Sequence, residues 1–145
     1  MPSRARIASF GAVAGATVLL AGSGLMAGQS AGSRSPEGAK LKNPVAASAA
    51  SLAAGKKLYD GACASCHGAA GKGDGKAGAM LKPRPSDLTD GEGKHGSSDG
   101  DVFVVIRDGS KQTSMRGYGE KIATNDIWNL VNYLRSLGPK STTSR

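Results

Sequence analysis

The chain has 145 residues, a hydrophobic content of 39%, two cysteines and a formal net charge of +8. This length fits one domain and argues against a two-domain enzyme with an interdomain cleft. Two cysteines exclude a disulfide-dense scaffold and a four-cysteine metal site. Aromatic residues make up only 4% of the chain, and a small domain with so few large apolar side chains usually needs a disulfide, a metal or a cofactor to complete its core.

The N-terminus has the pattern of an export signal. Arg4 and Arg6 precede an uncharged apolar run that ends in small residues, as in secretory signal peptides. We therefore predict a signal peptide over residues 1–27 and a periplasmic or otherwise exported protein. The alternative is an uncleaved membrane anchor formed by residues 7–26, which are just numerous enough to span a bilayer.

Composition divides the rest of the chain into three parts. Residues 28–50 are rich in Ala, Ser and Gly with scattered Lys and show no sustained period, which predicts a flexible linker. Residues 51–138 are predicted to form one compact domain. Residues 139–145 are predicted to be a flexible tail, since Gly138 and Pro139 stop a helix and Ser and Thr follow.

Three helices are predicted within this domain, which makes it all-α. The first is capped by Ser51 and runs towards Cys63. The second opens at Ser98 with an acidic first turn and closes at Gly109, although its apolar run also fits a strand. The third is capped by Thr124. Its apolar residues recur at helical spacing, at Ile127, Leu130, Val131 and Leu134.

Residues 68–97 between the first two helices are mostly loop, thick with Gly, Pro and Asp. So long a loop is unusual in a compact domain, and it predicts that the segment wraps around something.

The most informative motif is Cys63-Ala64-Ser65-Cys66-His67. Cysteines three positions apart lie on one turn, so both thiols can reach one flat partner while the adjacent histidine points an imidazole at its centre. This is the spacing of c-type haem attachment, with two thioethers to the porphyrin and His67 as an iron ligand. A structural zinc site, a thioredoxin-like redox pair and a simple disulfide are the alternatives. A zinc site would need further Cys or His ligands. A thioredoxin-like pair would need a βαβ context, and a disulfide leaves His67 without a role.

From about Leu52 to Leu137 the chain resembles class I monohaem cytochromes c of the bacterial type. Gly55 and Tyr59 match the family's glycine and aromatic residue before the haem motif. The resemblance implies that they pack against Leu130 and Tyr133 of the last helix. It also implies a small fold of three main helices and long loops wrapped around one covalently bound haem c with its iron.

The resemblance implies that Met115 is the second axial ligand of the iron. Met115 stands before the third helix, where the family places its distal methionine, but Arg116 replaces the proline that usually follows. His95, Met80 and an open sixth position are the alternatives. Leu81 beside Met80 suggests that this methionine packs in the core instead.

Two further segments are expected near the haem. Pro83 or Pro85 would offer a carbonyl to the second ring nitrogen of His67, as ligating histidines usually require. Arg84 is expected to pair with a propionate, unless it belongs to a stiff surface loop. Trp128 would either donate to a propionate or fill space in the core.

These expectations predict an exported electron carrier that is not an enzyme by itself. Two protein ligands would saturate the iron and leave no position for a substrate, and a thioether ligand raises the reduction potential. A haem enzyme or gas sensor with an open sixth position, and a fixed electron-transfer subunit of a larger oxidoreductase, are the alternatives.

The expected form is a monomer that binds redox proteins with acidic docking patches and does not bind nucleic acid. It is expected to contact a membrane only through partner complexes or an uncleaved leader. A basic rim is expected at the haem edge, formed by Lys72, Lys76, Lys82, Lys111 and Arg116.

Overall fold

A computed structural model describes residues 35–91 and 98–139. The predicted signal peptide, the first part of the linker, His95 and nearly all of the predicted tail lie outside these ranges. Four α-helices follow in chain order: α1 (Ala49–Ala62), α2 (Ala64–His67), α3 (Asp99–Asp108) and α4 (Thr124–Leu137). Within the described ranges the chain forms no strand, so the predicted all-α class is confirmed. None of the described helices is long and apolar enough to cross a bilayer.

The predicted start of the first helix is wrong by three residues. Ser48, not Ser51, caps α1, and its hydroxyl oxygen accepts a hydrogen bond from the Ser51 N–H at 3.2 Å. Ser51 lies inside the helix, where it is buried and donates to the Asn129 side chain at 2.7 Å. Both serines satisfy the cap preference equally well in sequence, and the tertiary contact to Asn129 decides between them.

The other helix ends agree more closely with their signals. Ser98 and Asp101 form a reciprocal capping box at the start of α3. Gly109, with φ of 84°, ends that helix, and the strand alternative is thereby excluded. Thr124 is the first residue of α4 rather than its cap, because Ala123 occupies the cap position without a side-chain hydrogen bond.

The packing of α1 across α4 forms the centre of the core. The rings of Tyr59 and Tyr133 lie 5.3 Å apart at an interplanar angle of 55°, as the resemblance implied. At Gly55, a Cβ would strike the Asn129 backbone and come within 2.7 Å of the Tyr133 Cβ. The backbone that approaches Gly55 thus belongs to Asn129, whereas Leu130 is fully buried beside it. A glycine at this position lets the two helices touch.

Replacing Gly55 with alanine should therefore destabilise the domain by about 2 kcal/mol, the cost of overpacking a close helix contact. The matched control is Gly61→Ala in the same helix, because a Cβ at Gly61 meets nothing within 4 Å. That change should be neutral or stabilise by up to ~1 kcal/mol, since alanine is the better helix former. Thermal or urea unfolding measures both, and equal effects at the two positions would contradict the close crossing.

Residues 35–45, here called the N-terminal segment, pack on α3 and α4. The Arg107 guanidinium donates to both carboxylate oxygens of Glu37 at 2.7 and 2.9 Å. The Asn43 side chain donates to Asn132 of α4 at 2.8 Å, and Leu41 and Val45 pack against the core. This differs from the flexible linker predicted over residues 28–50: from residue 35 the chain belongs to the folded domain. The sequence does not predict this packing because small residues make part of it: Gly38 lies directly against α3.

Candidate functional site

The loops and helices enclose a cavity of about 540 Å³. Its walls are mostly apolar, and they come from α1, α2, the 81–91 loop, α3, the 110–118 loop and α4. The four residues singled out in the sequence, Cys63, Cys66, His67 and Met115, all line it. The long loop after the motif does wrap around something, since its residues 81, 83–88, 90 and 91 form one side of this cavity.

The motif cysteines lie where α1 passes into α2. The Cys63 N–H donates to the Tyr59 carbonyl at 2.9 Å and so ends α1. The Cys63 carbonyl then accepts from the N–H groups of Cys66 at 3.1 Å and His67 at 2.9 Å. One tight turn thus carries both thiols and the imidazole. Both cysteines are free thiols and partly buried, and burial raises the pKa of Cys63 to about 11.

The His67 ring is oriented by the backbone of the wrapping loop. Its Nδ1 lies 3.3 Å from the Ser86 carbonyl oxygen, so Nδ1 is the donor and Nε2 keeps a free lone pair. The expectation that Pro83 or Pro85 supplies this acceptor is wrong, because the Pro85 carbonyl lies against Gly73 instead. Burial lowers the pKa of His67, and the hydrogen bond to Ser86 opposes that shift. The neutral imidazole is the form that binds a metal.

Backbone hydrogen bonds fold the loop back onto the motif. The Gly73 N–H donates to the His67 carbonyl at 2.8 Å, and the Ala77 N–H donates to the Ser65 carbonyl at 3.0 Å. The buried Tyr59 hydroxyl donates to the Gly68 carbonyl at 2.7 Å. Gly73 has φ of 73° and approaches backbone too closely for a side chain. These contacts hold the start of the loop against the turn that carries His67, and Gly73 in turn lies against the Pro85 and Ser86 carbonyls.

Met115 lies in a loop that closes on itself. Gly109 and Arg116 form an antiparallel bridge, and the Ser110 N–H donates to the Met115 carbonyl at 3.0 Å. The Thr113 hydroxyl donates to the Ser110 carbonyl at 2.8 Å and accepts from the Met115 N–H at 3.1 Å. Backbone pairing therefore fixes this loop, although Arg116 stands where the family usually has proline.

The other methionine considered for this role lies outside the cavity. Met80 is 88% exposed, so the expectation that it packs in the core is wrong. It ends the short 3₁₀ turn Gly78–Met80, which places its side chain in solvent while Leu81 lines the cavity. His95 lies outside the described residues.

Charged side chains form part of the cavity lining. Arg84, Arg116 and Arg135 line the cavity, and Arg135 also donates to the Asp99 carboxylate at 2.8 Å. No sequence motif identifies Arg135 as a cavity residue, apart from its place in the last turn of α4. Trp128 packs in the core, where its ring stacks on Phe103 at 4.1 Å. Of the five residues expected to form a basic rim, Arg116 lines the cavity. The four lysines are exposed and do not line it.

This arrangement fits a haem bound through the motif. The cavity combines apolar walls with two adjacent thiols, one oriented imidazole and one thioether sulfur, which is the donor set of a c-type haem with two axial protein ligands. Within the described ranges, no group of three or more His, Cys, Asp or Glu side chains has an arrangement that could hold a bare metal ion.

Comparisons with known proteins agree with this geometry. A family model described as Cytochrome c matches residues 52–138. Among solved structures, the reducing HAO-like protein complex of Kuenenia stuttgartiensis shares 30% identity with a TM-score of 0.62, and the match covers 66% of this chain and 47% of that one. Cytochrome CL of Methylophaga aminisulfidivorans shares 22% identity with a TM-score of 0.50, over 61% of this chain and 53% of that one. The chain thus spans about half the length of these two proteins. No curated protein matches.

Proposed function

Since the chain belongs to the cytochrome c family, whose chemistry is haem-based electron transfer, we propose that it is an exported carrier that moves single electrons between redox partners. One haem c is attached through Cys63 and Cys66, and His67 and Met115 are the axial ligands of its iron. The observation that carries this proposal is that these four side chains line one apolar cavity.

Each ligand has its own positioning element. The Ser86 carbonyl orients His67 so that Nε2 faces away from the hydrogen-bonded side of the ring, and such a bond also makes the nitrogen ligand more basic. The bridge between Gly109 and Arg116 holds the loop that carries Met115. When bound, the haem supplies an iron that changes between ferrous and ferric states. Apolar walls exclude water from it, and a thioether ligand favours the ferrous state.

Ligation on both faces argues for a carrier rather than an enzyme, because no axial position is left for a substrate. The experiment is the absorption spectrum of the oxidised and reduced protein with and without carbon monoxide. We expect a low-spin spectrum that carbon monoxide leaves unchanged. A spectrum that shifts at once on adding the gas would instead indicate an open sixth position.

A fixed subunit of a larger oxidoreductase is the second candidate, and one similar structure comes from an HAO-like protein complex. The two candidates differ in the native size of the protein. We propose that the mature protein is a monomer after removal of residues 1–27. Size-exclusion chromatography of the protein extracted from native membranes tests whether it is a monomer. Mass spectrometry of the mature N-terminus tests whether residues 1–27 are removed. A retained leader would place the anchor at residues 7–26.

The closed distal loop yields a prediction about Thr113. Its hydroxyl joins Ser110 to Met115, so Thr113→Val should cost about 1 kcal/mol of stability, because the Met115 N–H loses its partner and the Ser110 carbonyl keeps only the Thr113 N–H at 3.2 Å. The axial methionine should also be displaced more easily, so that added imidazole binds several-fold more tightly. Ser114→Ala is the control, since Ser114 lines the same cavity next in sequence. Equal imidazole affinity in both variants would contradict a positioning role for Thr113.

The basic rim yields a prediction about salt. Lys72, Lys76, Lys82 and Lys111 are exposed, and Lys82 and Lys111 directly follow the cavity-lining residues Leu81 and Ser110. Positive charge at a haem edge steers an acidic partner. With its physiological partner, the bimolecular rate should fall as ionic strength rises from about 10 to 200 mM, where the screening length shortens from ~30 Å to below 10 Å. Lys72→Glu with Lys76→Glu should slow the reaction at low salt. A rate indifferent to salt and to both reversals would mean that the rim has no docking role.

A further inference from the structure

We propose that the Tyr118 hydroxyl is a positioning group for the axial methionine: it fastens the loop of residues 110–118, here called the Met115 loop, to the end of α1 and so opposes replacement of the methionine by external ligands. This inference rests on the proposed function, in which Met115 binds the iron. It gives a role to a residue that neither attaches the haem nor binds its iron.

The hydroxyl bond lies at a helix end that needs a donor. The last carbonyls of an α-helix have no partner within the helix, and α1 ends at Ala62. The Cys66 N–H, which would reach the Ala62 carbonyl in a continuing helix, donates to the Cys63 carbonyl at 3.1 Å instead. The Tyr118 hydroxyl donates to the Ala62 carbonyl at 3.1 Å. A side chain 56 residues away in sequence therefore completes the end of α1, one residue before the first cysteine of the motif.

The backbone around Tyr118 is fixed by α3. The Tyr118 N–H donates to the Ile106 carbonyl at 2.9 Å, and the Gly119 N–H donates to the Arg107 carbonyl at 2.9 Å. Both acceptors belong to the last turn of α3. The Tyr118 ring is partly buried and packs against the core. Tyr118 therefore connects the end of α3 and the Met115 loop with the end of α1.

This hydrogen bond joins two walls of the haem cavity. Ala62 and Cys63 line the cavity from the end of α1, and Met115 and Tyr118 line it from the loop. The Thr113 hydroxyl closes the loop on itself, whereas the Tyr118 hydroxyl ties the loop to the helix end that carries the attachment turn. Displacing Met115 moves the loop, and a movement that reaches Tyr118 breaks its bond to Ala62.

The bond has its largest effect in the ferric state. A thioether ligand favours ferrous iron, so the methionine is held less tightly after oxidation, and a nitrogen ligand such as imidazole competes best then. One hydrogen bond of average net strength changes such an equilibrium about fivefold. The Tyr118 hydroxyl thus helps to keep the same two axial ligands in both oxidation states, which a carrier requires for transfer with little rearrangement.

Tyr118→Phe removes the hydroxyl and keeps the ring. We expect imidazole to bind the ferric holoprotein about fivefold more tightly than in the wild type, measured by titration at the weak band near the red edge of the spectrum that arises from methionine-sulfur ligation. Tyr133→Phe is the matched control, because it removes a hydroxyl from a ring that does not line the cavity. Wild-type affinity in Tyr118→Phe would overturn the proposal, as would an equal gain in Tyr133→Phe.

Amide hydrogen exchange in the reduced holoprotein gives an independent readout. The N–H groups of Ser110, Tyr118 and Gly119 bond within the loop or to α3 and should exchange about fivefold faster in Tyr118→Phe. Gly55→Ala is the control for lowered stability, since Gly55 packs against α4 and does not line the cavity. It should leave these amide rates and the imidazole affinity unchanged. Faster loop exchange in Gly55→Ala as well would show that the loop opens only with the whole domain, and would overturn the proposal.

Failure of this inference is distinguishable from failure of the proposed function. The red-edge band of the wild type reports on methionine ligation alone. A normal band in the wild type, with equal imidazole affinity in Tyr118→Phe, would remove the role of Tyr118 and leave the carrier intact. A wild type without the band would remove Met115 from the ligand set, and with it the proposed function.

Discussion

Replacing Cys63 and Cys66 together with alanine should yield a chain with no covalent haem and little remaining helix. The residues around the cavity include the main core side chains Tyr59, Ile106 and Leu130. Without a bound group, these side chains lose packing partners on one side, and the small remaining core offers little to offset chain entropy. A ligand that binds only the folded state stabilises it, and its loss removes that contribution.

Haem staining after denaturing electrophoresis measures attachment, and far-ultraviolet circular dichroism measures helix content. The control is Ser65→Ala, because Ser65 lies exposed between the two cysteines and should leave both signals unchanged. A double alanine variant that keeps the native helical signal would show that the fold is complete without the cofactor. Haem retained by the double variant after denaturation would rule out thioether attachment at these cysteines.

Met115→Ala should remove the weak band near the red edge of the ferric spectrum that arises from methionine-sulfur ligation. The ferrous form should then bind carbon monoxide. The reduction potential should fall by a few hundred millivolts, within the roughly 0.8 V range that axial ligands span, because the soft thioether that favours the ferrous state is gone.

Met80→Ala is the matched control, since the Met80 side chain is 88% exposed and should leave band and potential unchanged. His95→Ala should do the same. Loss of the band in either control would assign the ligand to that residue instead of Met115. An unchanged band in Met115→Ala would contradict the proposed ligand set.

The sequence predicts what depends on local pattern. The CxxCH spacing fixes which residues share one turn, and Ser98, Asp101 and Gly109 mark both ends of α3 through short-range hydrogen bonds and backbone conformation. The apolar period of α4 identifies its buried face, as Ile127, Leu130 and Val131 confirm. Each of these signals lies within a few residues of the feature that it predicts.

Local sequence patterns do not predict features that depend on contacts between residues far apart in the chain. Ser48 and Ser51 are equivalent caps until Asn129, far along the chain, binds Ser51. The acceptor behind His67 is a main-chain carbonyl, so the side chain of Ser86 gives no signal for it. Likewise, the N-terminal segment has a composition typical of linkers, and its place in the domain rests on contacts with Arg107 and Asn132.

The bridge between Gly109 and Arg116 has a consequence for how this protein can diverge. Main-chain pairing makes few demands on the identity of a side chain, so the loop keeps its shape whichever residue follows Met115, provided that it accepts an extended conformation. If the loop depended on a proline ring at that position, no charged side chain could stand there. Here the cavity-lining position 116 can exchange a cation for a neutral or acidic group by one amino-acid substitution, which makes it a point where closely related chains could adapt to different partners without rebuilding the ligand loop.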